Sequence, residues 1–527
     1  MQSVSNPTQA AAVEAEVRRL KGFVEAGQKA GNHDIAIDAL ARIAVINRDD
    51  AGAHSALAME LAAAERYEEA INPFRWALSL EPNNAGCHFA LGNVFKYTGR
   101  FNKAIASYRR AVELEPETAS IVDGLGVALA EAGRTEEAVD VFRQALALDA
   151  KAASVHFNLG IAFVTLERFS EATAEFETCL ALEPLHADAA FNLGIIALSE
   201  NETDGALKQF KRATSFQQEL RRRFDTNNVM MPFRLLHEHQ QAEYLAAHGL
   251  LPSGREAWRA TLAELWQRHK DQPRTEAITL SPEDRERLGP SFHEIVYDGG
   301  TCPRLPLVIN PNLDLPAIEE TYCSTDPEIV VIDDLLTPEA LAQLRKFCLE
   351  ATVFKKSFTP GYLNSLLYDG FATPLTLQLA QELRTRLPRI FGPNKLHVAW
   401  GIKYDSTLRG IPLHADFAAV NVNFWITPDE ANLDPTSGGL ILWDKESPPD
   451  WPFAEYNIAG ERVRNFLKDS GAKAIRVPYR ANRAVVFNSA LFHETDNIHF
   501  RDTYEDRRIN ITLLYGRKLR ATTESGF

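Results

Sequence analysis

Small and apolar residues recur at a fixed interval of 34 positions through the first 220 residues. Six alanines stand in this register: Ala36, Ala70, Ala104, Ala138, Ala172 and Ala206. Four residues after each alanine comes a large apolar or aromatic side chain: Leu40, Phe74, Tyr108, Phe142, Phe176 and Phe210. Leu-Gly pairs recur upstream, at Leu91-Gly92, Leu125-Gly126, Leu159-Gly160 and Leu193-Gly194. Such a period predicts helix pairs that stack on one another into a solenoid.

The residue types indicate how each helix pair packs. The small residues let the two helices approach, and the aromatic side chain fills the space between neighbouring units. Pro82, Pro116 and Pro184 end the second helix of three units. Five well-formed units span about residues 51–218, and a degenerate first unit spans about residues 18–50. The array is therefore predicted to occupy residues 1–220.

Downstream of the array the period is lost, but helical spacing continues. Leu, Ala, Tyr and Trp recur at this spacing over residues 233–248 and 254–269. We interpret residues 221–326 as a helical connector.

From Pro327 onward the pattern changes to that of strands and short helices. A strand is predicted over residues 328–334. Thr337-Pro338 then begins a helix that ends near residue 349, because threonine caps helices and proline suits their first turn. A second helix is predicted over residues 374–387. We interpret the stretch 355–370 between them as a loop and a candidate lid over a pocket.

Six more strands are predicted after Asn394: residues 396–404, 418–427, 440–444, 474–479, 483–488 and 508–515. Strands joined by Gly- and Pro-rich turns predict a double-sheet jelly roll over residues 327–527. The predicted fold is thus α+β and multidomain. It comprises an N-terminal α-solenoid, a helical connector and a C-terminal double-stranded β-helix.

Composition narrows the class of protein. The formal net charge of −15 disfavours non-specific binding to nucleic acid or to an anionic membrane. The five cysteines are scattered without a Cys-x-x-Cys pair, which fits the reducing cytoplasm. The first twelve residues lack the basic and apolar regions of a secretory signal. We expect a cytoplasmic protein that does not enter a membrane.

The candidate chemistry lies between His414 and Arg508. His414 and Asp416 are two residues apart in strand-like sequence, so both side chains can face one ion. A third ligand, His493, follows the strand 483–488. Two histidines and one carboxylate on one face of a metal are typical of non-haem Fe(II) oxygenases. His499 is the rival for His493, but it lies in a polar segment away from the strand.

Arg508 opens the last strand and shares a face with Asn510 and Thr512, so all three are candidate cofactor-binding residues. An arginine there suits a dicarboxylate, because guanidinium groups bind carboxylates in bidentate fashion. Arg507 competes for this role, although strand alternation turns its side chain away from that face. Tyr404 precedes His414 by ten residues and is either a ligand-binding or a packing residue.

Two resemblances follow from these motifs. The 34-residue array resembles the tetratricopeptide repeat, whose concave groove commonly holds a peptide or protein segment, and Asn158 and Asn192 are candidates to line it. Residues 327–517 resemble the Fe(II)- and 2-oxoglutarate-dependent oxygenases of the prolyl-hydroxylase type. That resemblance implies iron on His414, Asp416 and His493, with Arg508 pairing the distal carboxylate of 2-oxoglutarate. It also implies Tyr404 as a cosubstrate contact and O₂ as the oxidant.

The expected function is hydroxylation of a side chain in a protein or peptide that the repeats recruit. One alternative is an oxygenase for a small natural product, and another is a non-catalytic repeat scaffold. The insertion 445–471, with Trp451, Phe453 and Tyr456, is predicted to form a wall where substrate enters.

Overall fold

The computed structural model describes residues 7–224, 228–300, 302–359, 361–448, 451, 456–457 and 460–516. The chain divides into two compact units, Met1–Glu183 and Pro184–Phe527. The domain limits predicted from the sequence, 1–220, 221–326 and 327–527, stay predictions. Their outer ends, residues 1–6 and 517–527, lie outside the described residues.

Over its described residues, 7–183, the first unit contains five helix pairs. Their bounds are α1 (Pro7–Lys29), α2 (His33–Ile46), α3 (Ala51–Ala63), α4 (Tyr67–Leu80), α5 (Ala85–Tyr97), α6 (Phe101–Leu114), α7 (Ala119–Glu131), α8 (Thr135–Leu148), α9 (Ala153–Thr165) and α10 (Phe169–Leu182). A sixth pair, α11 (Ala187–Ser199) and α12 (Thr203–Phe224), opens the second unit. The predicted solenoid of paired helices is confirmed.

The residues that recur every 34 positions lie where the two helices of each pair pack closely together. All six registered alanines are fully buried. A Cβ added to Gly160 would lie 2.6 Å from the ring of Phe176, and one added to Gly126 would lie 2.5 Å from the ring of Phe142. Glycine on the first helix therefore makes room for the aromatic side chain of the second, which explains why both recur with one period.

The rest of the second unit contains both helices and strands. Its further helices are α13 (Pro232–Ala247), α14 (Glu256–His269), α15 (Pro282–Leu288), α16 (Leu315–Ser324), α17 (Pro338–Glu350), α18 (Pro374–Arg386), α19 (Pro388–Phe391) and α20 (Gly460–Asp469). Its strands are β1 (Val229–Met230), β2 (Ile278–Thr279), β3 (Ile329–Ile332), β4 (Lys356–Phe358), β5 (Tyr362–Leu366), β6 (Leu396–Tyr404), β7 (Val420–Trp425), β8 (Leu440–Glu446), β9 (Ala474–Val477), β10 (Ala484–Asn488), β11 (Leu491–Thr495) and β12 (Ile509–Tyr515).

The strands form a seven-stranded and a three-stranded sheet, besides the β1–β2 pair. The larger sheet has the order β3-β10-β7-β12-β6-β5-β4, and the smaller has the order β11-β8-β9. Neighbouring strands are antiparallel. The predicted loop at 355–370 is wrong, because β4 and β5 lie there and extend the larger sheet at one edge.

Each face of the larger sheet has its own core. One face packs against α17 and α18, through residues such as Phe347, Leu383 and Val422. Phe210 of α12 belongs to this same core, so the sixth helix pair is part of the sheet unit. On the other face, side chains of β7 and β10 pack with those of β8, β9 and β11. The candidate metal site described below lies on the face that carries the smaller sheet.

No helix in the described part of the chain is long and apolar enough to span a membrane.

Lys403 is a buried cation on the helical face of the larger sheet. Only 2% of its surface is exposed, and its Nζ donates to the hydroxyl of Tyr504 over 3.1 Å. The ammonium lies 4.6 Å from the ring centroid of Phe354 and 4.9 Å from that of Tyr504. Burial lowers the pKa of Lys403 to about 7.

This depressed pKa predicts how stability changes with pH. The unfolded chain keeps the proton of Lys403 up to about pH 10, whereas the folded protein loses it above about pH 7. The free energy of unfolding should therefore rise through that window by up to about 1.4 kcal/mol per pH unit. Lys403→Met, a change of similar volume, should remove this slope and stabilise the second unit at pH 7. Denaturant midpoints at several pH values measure the difference, and parallel curves for both proteins would contradict it.

Candidate metal centre

Backbone pairing brings the two predicted histidine ligands together. His493 lies on β11, and a single antiparallel bridge joins it to His414, which precedes β7. The amide of His414 donates to the carbonyl of His493 over 3.0 Å, and the reverse bond measures 2.8 Å. The amide of Asp416 donates to the carbonyl of Ser489 over 3.0 Å. Two neighbouring backbone contacts therefore fix all three candidate ligands.

The side chains of these residues converge on one point. Nε2 of His414 lies 3.8 Å from Oδ1 of Asp416, and Nε2 of His493 lies 3.5 Å from Oδ2 of Asp416. The two imidazole centroids are 4.3 Å apart. Each residue offers one ligand atom, and these atoms lie within 4.8 Å of one another. A single ion can reach all three.

Each imidazole is oriented by a hydrogen bond between its Nδ1 and a backbone carbonyl oxygen. Nδ1 of His414 lies 2.8 Å from the carbonyl oxygen of Pro412, and Nδ1 of His493 lies 3.0 Å from that of Leu491. A carbonyl oxygen only accepts, so each Nδ1 carries a proton, and Nε2 is the ring nitrogen that faces Asp416. Burial, followed by the neighbouring His493, lowers the pKa of His414 to about 4. His414 is therefore neutral at pH 7, the state that binds metals.

Asp416 is buried and negatively charged. Burial alone would raise the pKa of its carboxyl group, but contacts with His493, His414 and Asn421 lower it overall. Nδ2 of Asn421 donates to Oδ2 of Asp416 over 2.8 Å. The centre thus combines two imidazoles and one carboxylate.

A pocket lies over these ligands. Besides the three candidate ligands it is lined by Trp400, Tyr404, Ile411, Asn421, Asn423, Leu440, Thr495, Arg508 and Thr512. Among these lining residues, Asp416 is the sole carboxylate and Arg508 is the sole residue with a permanent positive charge. The pocket therefore suits a ligand that contacts both a metal and a guanidinium group.

Arg508 is a buried cation held by backbone and aromatic groups. Its Nε donates to the carbonyl of Gly438 over 2.7 Å, and its Nη2 donates to that of Gly439 over 3.1 Å. The guanidinium carbon lies 4.5 Å from the ring centroid of Tyr404. Nη1 has no hydrogen-bond partner within the described structure. Gly439 permits this arrangement, because a Cβ there would lie 1.9 Å from the carbonyl oxygen of Val477.

The rival residues lie elsewhere. Arg507 does not line the pocket, and its Nη2 donates to Oε1 of Gln240 over 2.7 Å. His499 is exposed and lies outside the metal-binding group found among the described residues. Strand alternation at Arg507 and Arg508, and the position of His493 next to a strand, both agree with this geometry.

Of the remaining predicted site residues, two line the pocket and one lies behind it. Tyr404 and Thr512 line the pocket, and the hydroxyl of Tyr404 lies 3.4 Å from Oγ1 of Thr495. Asn510 does not line the pocket. Its Nδ2 instead donates to Oγ1 of Thr512 over 2.9 Å, so Asn510 holds the threonine from behind.

Sequence reasoning missed several lining residues, above all Asn421 and Asn423 on β7. Every residue of this strand is buried, yet the polar residues alternate with Val420, Val422 and Phe424. Polar side chains at alternate positions of a buried strand indicate a polar pocket on one face. That alternation was the available signal.

The described part of the insertion 445–471 packs beside the candidate ligands. Trp451 and Tyr456 join Phe492 and the α20 residues Val463 and Leu467 in one apolar cluster. Neither Trp451 nor Tyr456 is among the residues that line the pocket, and Phe453 lies outside the described residues. The described part of the insertion therefore supports the strands of the site and does not form the predicted wall.

The two asparagines predicted to line the groove of the repeats make different contacts. Nδ2 of Asn158 donates to Oδ1 of Asp123 over 3.0 Å, which links two successive repeats. Nδ2 of Asn192 donates to the carbonyl of Asp188 in its own helix over 2.8 Å. Their role in binding a partner stays a prediction.

Comparison with known proteins identifies the helical array. Residues 89–153 and 157–219 match the family model of the tetratricopeptide repeat. The repeats predicted from the 34-residue period are therefore confirmed, and a role of this array in protein interaction is supported. Among curated proteins, none matches this chain.

Three of the solved structures similar to this chain each cover less than half of it. A crystal structure of MamA shares 23% identity over 31% of this chain and 95% of that chain, with a TM-score of 0.29. YrrB, described as a TPR protein with an unusual peptide-binding site, shares 22% identity over 34% and 94%, with a TM-score of 0.30. PilF of Pseudomonas aeruginosa shares 20% identity over 41% and 94%, with a TM-score of 0.32.

Proposed function

We propose that this protein is an Fe(II)- and 2-oxoglutarate-dependent dioxygenase that hydroxylates a side chain of a protein or peptide recruited by its repeats. The observation that carries the proposal is one pocket containing two imidazoles, one carboxylate and a buried arginine with an unpartnered N–H. We further propose that the two sheets correspond to the double-stranded β-helix of that family.

The donor set fits Fe(II). Two nitrogens and one carboxylate oxygen on one side of an ion leave its other positions open, as in the non-haem iron oxygenases. His414, Asp416 and His493 would hold the iron. When bound, Fe(II) with 2-oxoglutarate and O₂ supplies the chemistry that hydroxylates a C–H bond while 2-oxoglutarate is converted to succinate and CO₂.

Arg508 fits the distal carboxylate of 2-oxoglutarate. Its Nε and Nη2 are occupied by the carbonyls of Gly438 and Gly439, which fixes the plane of the guanidinium group. Nη1 remains to donate to a ligand in the pocket. A buried charged donor without a partner is costly, so an anion bound there would be stabilised.

The surrounding residues would orient the ligands and limit access of water. Thr512 already accepts from Asn510 and Asn423, so its hydroxyl proton is available to donate to a carboxylate. Tyr404 covers the guanidinium of Arg508 with its ring. Trp400, Ile411 and Leu440 give the pocket apolar walls, which favour a C–H bond over water next to the ligands.

The repeats give the proposal its substrate class. Tetratricopeptide arrays bind peptide or protein segments, and an array in the same chain as a pocket raises the local concentration of a bound segment. Two other functions remain as outcomes of testing: an oxygenase for a small natural product, and a repeat scaffold without catalysis. The scaffold alternative requires that the pocket binds neither iron nor 2-oxoglutarate.

Arg508→Ala is the direct test of the cosubstrate site. The variant should bind 2-oxoglutarate about 1.5–3 kcal/mol more weakly, roughly a ten- to hundredfold loss, because a charged hydrogen bond is removed. Calorimetric titration in the presence of the metal measures this affinity. Arg508→Lys should retain part of it, since the charge stays but the planar group is lost.

Arg507→Ala is the matched control, because this neighbouring buried arginine contacts Gln240 and not the pocket. Its 2-oxoglutarate affinity should equal that of the wild type. Unchanged affinity in Arg508→Ala would remove Arg508 from the cosubstrate site.

A further inference from the structure

Each of the three candidate ligands has one neighbour that holds it. Backbone carbonyls hold the two imidazoles, as described above. For Asp416 the neighbour is a side chain, Asn421 of β7, whose Nδ2 donates to Oδ2 over 2.8 Å. None of the Asn421 surface is exposed. Among the described residues, Asn421 is therefore the side chain that contacts a candidate ligand by a hydrogen bond from an amide N–H.

The chemistry of the pair fixes the orientation of the Asn421 amide. A carboxylate only accepts hydrogen bonds, so the NH₂ end of Asn421 must face Asp416. The amide oxygen then points away from Asp416, and it has no hydrogen-bond partner in the described part of the protein. The hydrogen bond to Asp416 is thus the side-chain hydrogen bond that Asn421 makes within the described residues.

We propose that Asn421 is a positioning residue of the metal centre, whose amide fixes the rotation of the Asp416 carboxylate toward His414 and His493. This inference rests on the proposed function, since it concerns the same metal. The terminal torsion of an aspartate is broad, so a carboxylate without this bond samples many rotations. A metal would then have to order the carboxylate on binding, and its affinity would fall.

Asn423 provides a matched control on the same strand. It lies two residues further along, lines the same pocket and is also buried. Its Nδ2 donates to Oγ1 of Thr512 over 3.3 Å and does not contact Asp416. Replacing either asparagine by leucine removes one amide from the same face of β7, but only one of the two changes affects a metal ligand.

The experiment measures binding of Co(II) alone, as an oxygen-stable substitute for Fe(II), to the full-length protein. Asn421→Leu should weaken Co(II) binding by about 10–100-fold, the usual effect of losing a residue that orients a ligand. The visible absorption of bound Co(II) should change as well, because the carboxylate no longer has one fixed orientation. Asn423→Leu should retain the wild-type affinity and spectrum.

Further variants separate positioning from folding. Asn421→Gln keeps an N–H donor and should recover part of the affinity, whereas Asn421→Ala repeats the loss with a smaller side chain in case leucine prevents folding. Wild-type affinity in both Asn421→Leu and Asn421→Ala would overturn the proposal, and so would equal losses in Asn421→Leu and Asn423→Leu. If the wild type bound Co(II) no better than His414→Ala, the proposed metal site would be contradicted. The proposed role of Asn421 would then be contradicted as well.

Discussion

Replacing His493 by alanine is expected to weaken Fe(II) binding by more than about a hundredfold and to abolish turnover of 2-oxoglutarate. Loss of an orienting neighbour alone costs 10–100-fold in metal affinity, so loss of a direct ligand should cost more. His493 is 3% exposed, and its Nε2 lies 3.5 Å from Asp416, so no solvent-exposed side chain can readily replace it. Anaerobic titration with Fe(II) and a succinate assay measure the two effects.

His499→Ala is the matched control for this experiment. His499 is exposed, and the hydrogen bond through which it contacts Leu433 uses its backbone carbonyl, which alanine retains. This variant should bind Fe(II) like the wild type. An active His493→Ala protein together with an inactive His499→Ala protein would reverse the assignment of the third ligand. His414→Ala and Asp416→Ala should behave like His493→Ala.

The strands that carry the site could be predicted from alternation, but not all of their partners. The prediction of 396–404 agrees with β6, and that of 483–488 agrees with β10 within one residue. β11 was missed because it follows β10 after only Ser489 and Ala490, so the sequence shows one continuous stretch. β4 and β5 were missed because glycine and polar residues interrupt them. β5 is defined by pairing with β6, a contact between distant segments, and β4 is defined by pairing with β5.

The sequence predicts which residues are the candidate ligands, but it does not predict which neighbouring residues hold them in place. Two-residue spacing places His414 and Asp416 on one face, and alternation separates Arg508 from Arg507, because both arguments are local. The role of Asn421 depends on a loop that carries Asp416 back over β7. The sequence does not show that contact, although the polar alternation of β7 indicates a polar surface.

The repeat period predicted every helix pair but not where the compact unit ends. The sixth pair keeps the register, with Ala206 and Phe210 in their expected places. Both residues nevertheless belong to the core that contains α17, α18 and the larger sheet. The repeat period reflects packing within each helix pair. The division at Pro184 instead depends on the packing of the sixth pair against α17, α18 and the larger sheet.

This division determines how the contribution of the repeats should be tested. A protein lacking residues 1–183 keeps Leu198, Ala206 and Phe210, and therefore the whole core of the second unit. We expect it to fold and to bind Fe(II) and 2-oxoglutarate with wild-type affinity. A protein lacking residues 1–218 should not fold stably, because loss of one buried phenylalanine side chain alone costs about 3–5 kcal/mol.

The shorter deletion should separate catalysis from recruitment. Without residues 1–183 the protein should still form succinate slowly from 2-oxoglutarate, since the pocket is intact. Its turnover of the native polypeptide substrate should fall by about 10²–10⁴-fold, the range by which a linked binding module raises apparent affinity. Mass spectrometry of proteins from an extract, incubated with either enzyme, Fe(II) and 2-oxoglutarate, detects the inserted oxygen.

Substitutions in the intact array provide the control for deletion. Asn158→Ala and Asn192→Ala together should raise the KM for the polypeptide and leave the KM for 2-oxoglutarate unchanged, because both residues lie on repeat helices outside the residues that line the pocket. Asn158 should account for most of the effect, since its partner is the side chain of Asp123 in another repeat, whereas Asn192 bonds its own helix. Equal turnover of the polypeptide by the full-length and shortened proteins would show that the repeats do not recruit substrate. A small natural product would then become the better substrate class, because such a ligand needs the pocket but not the array.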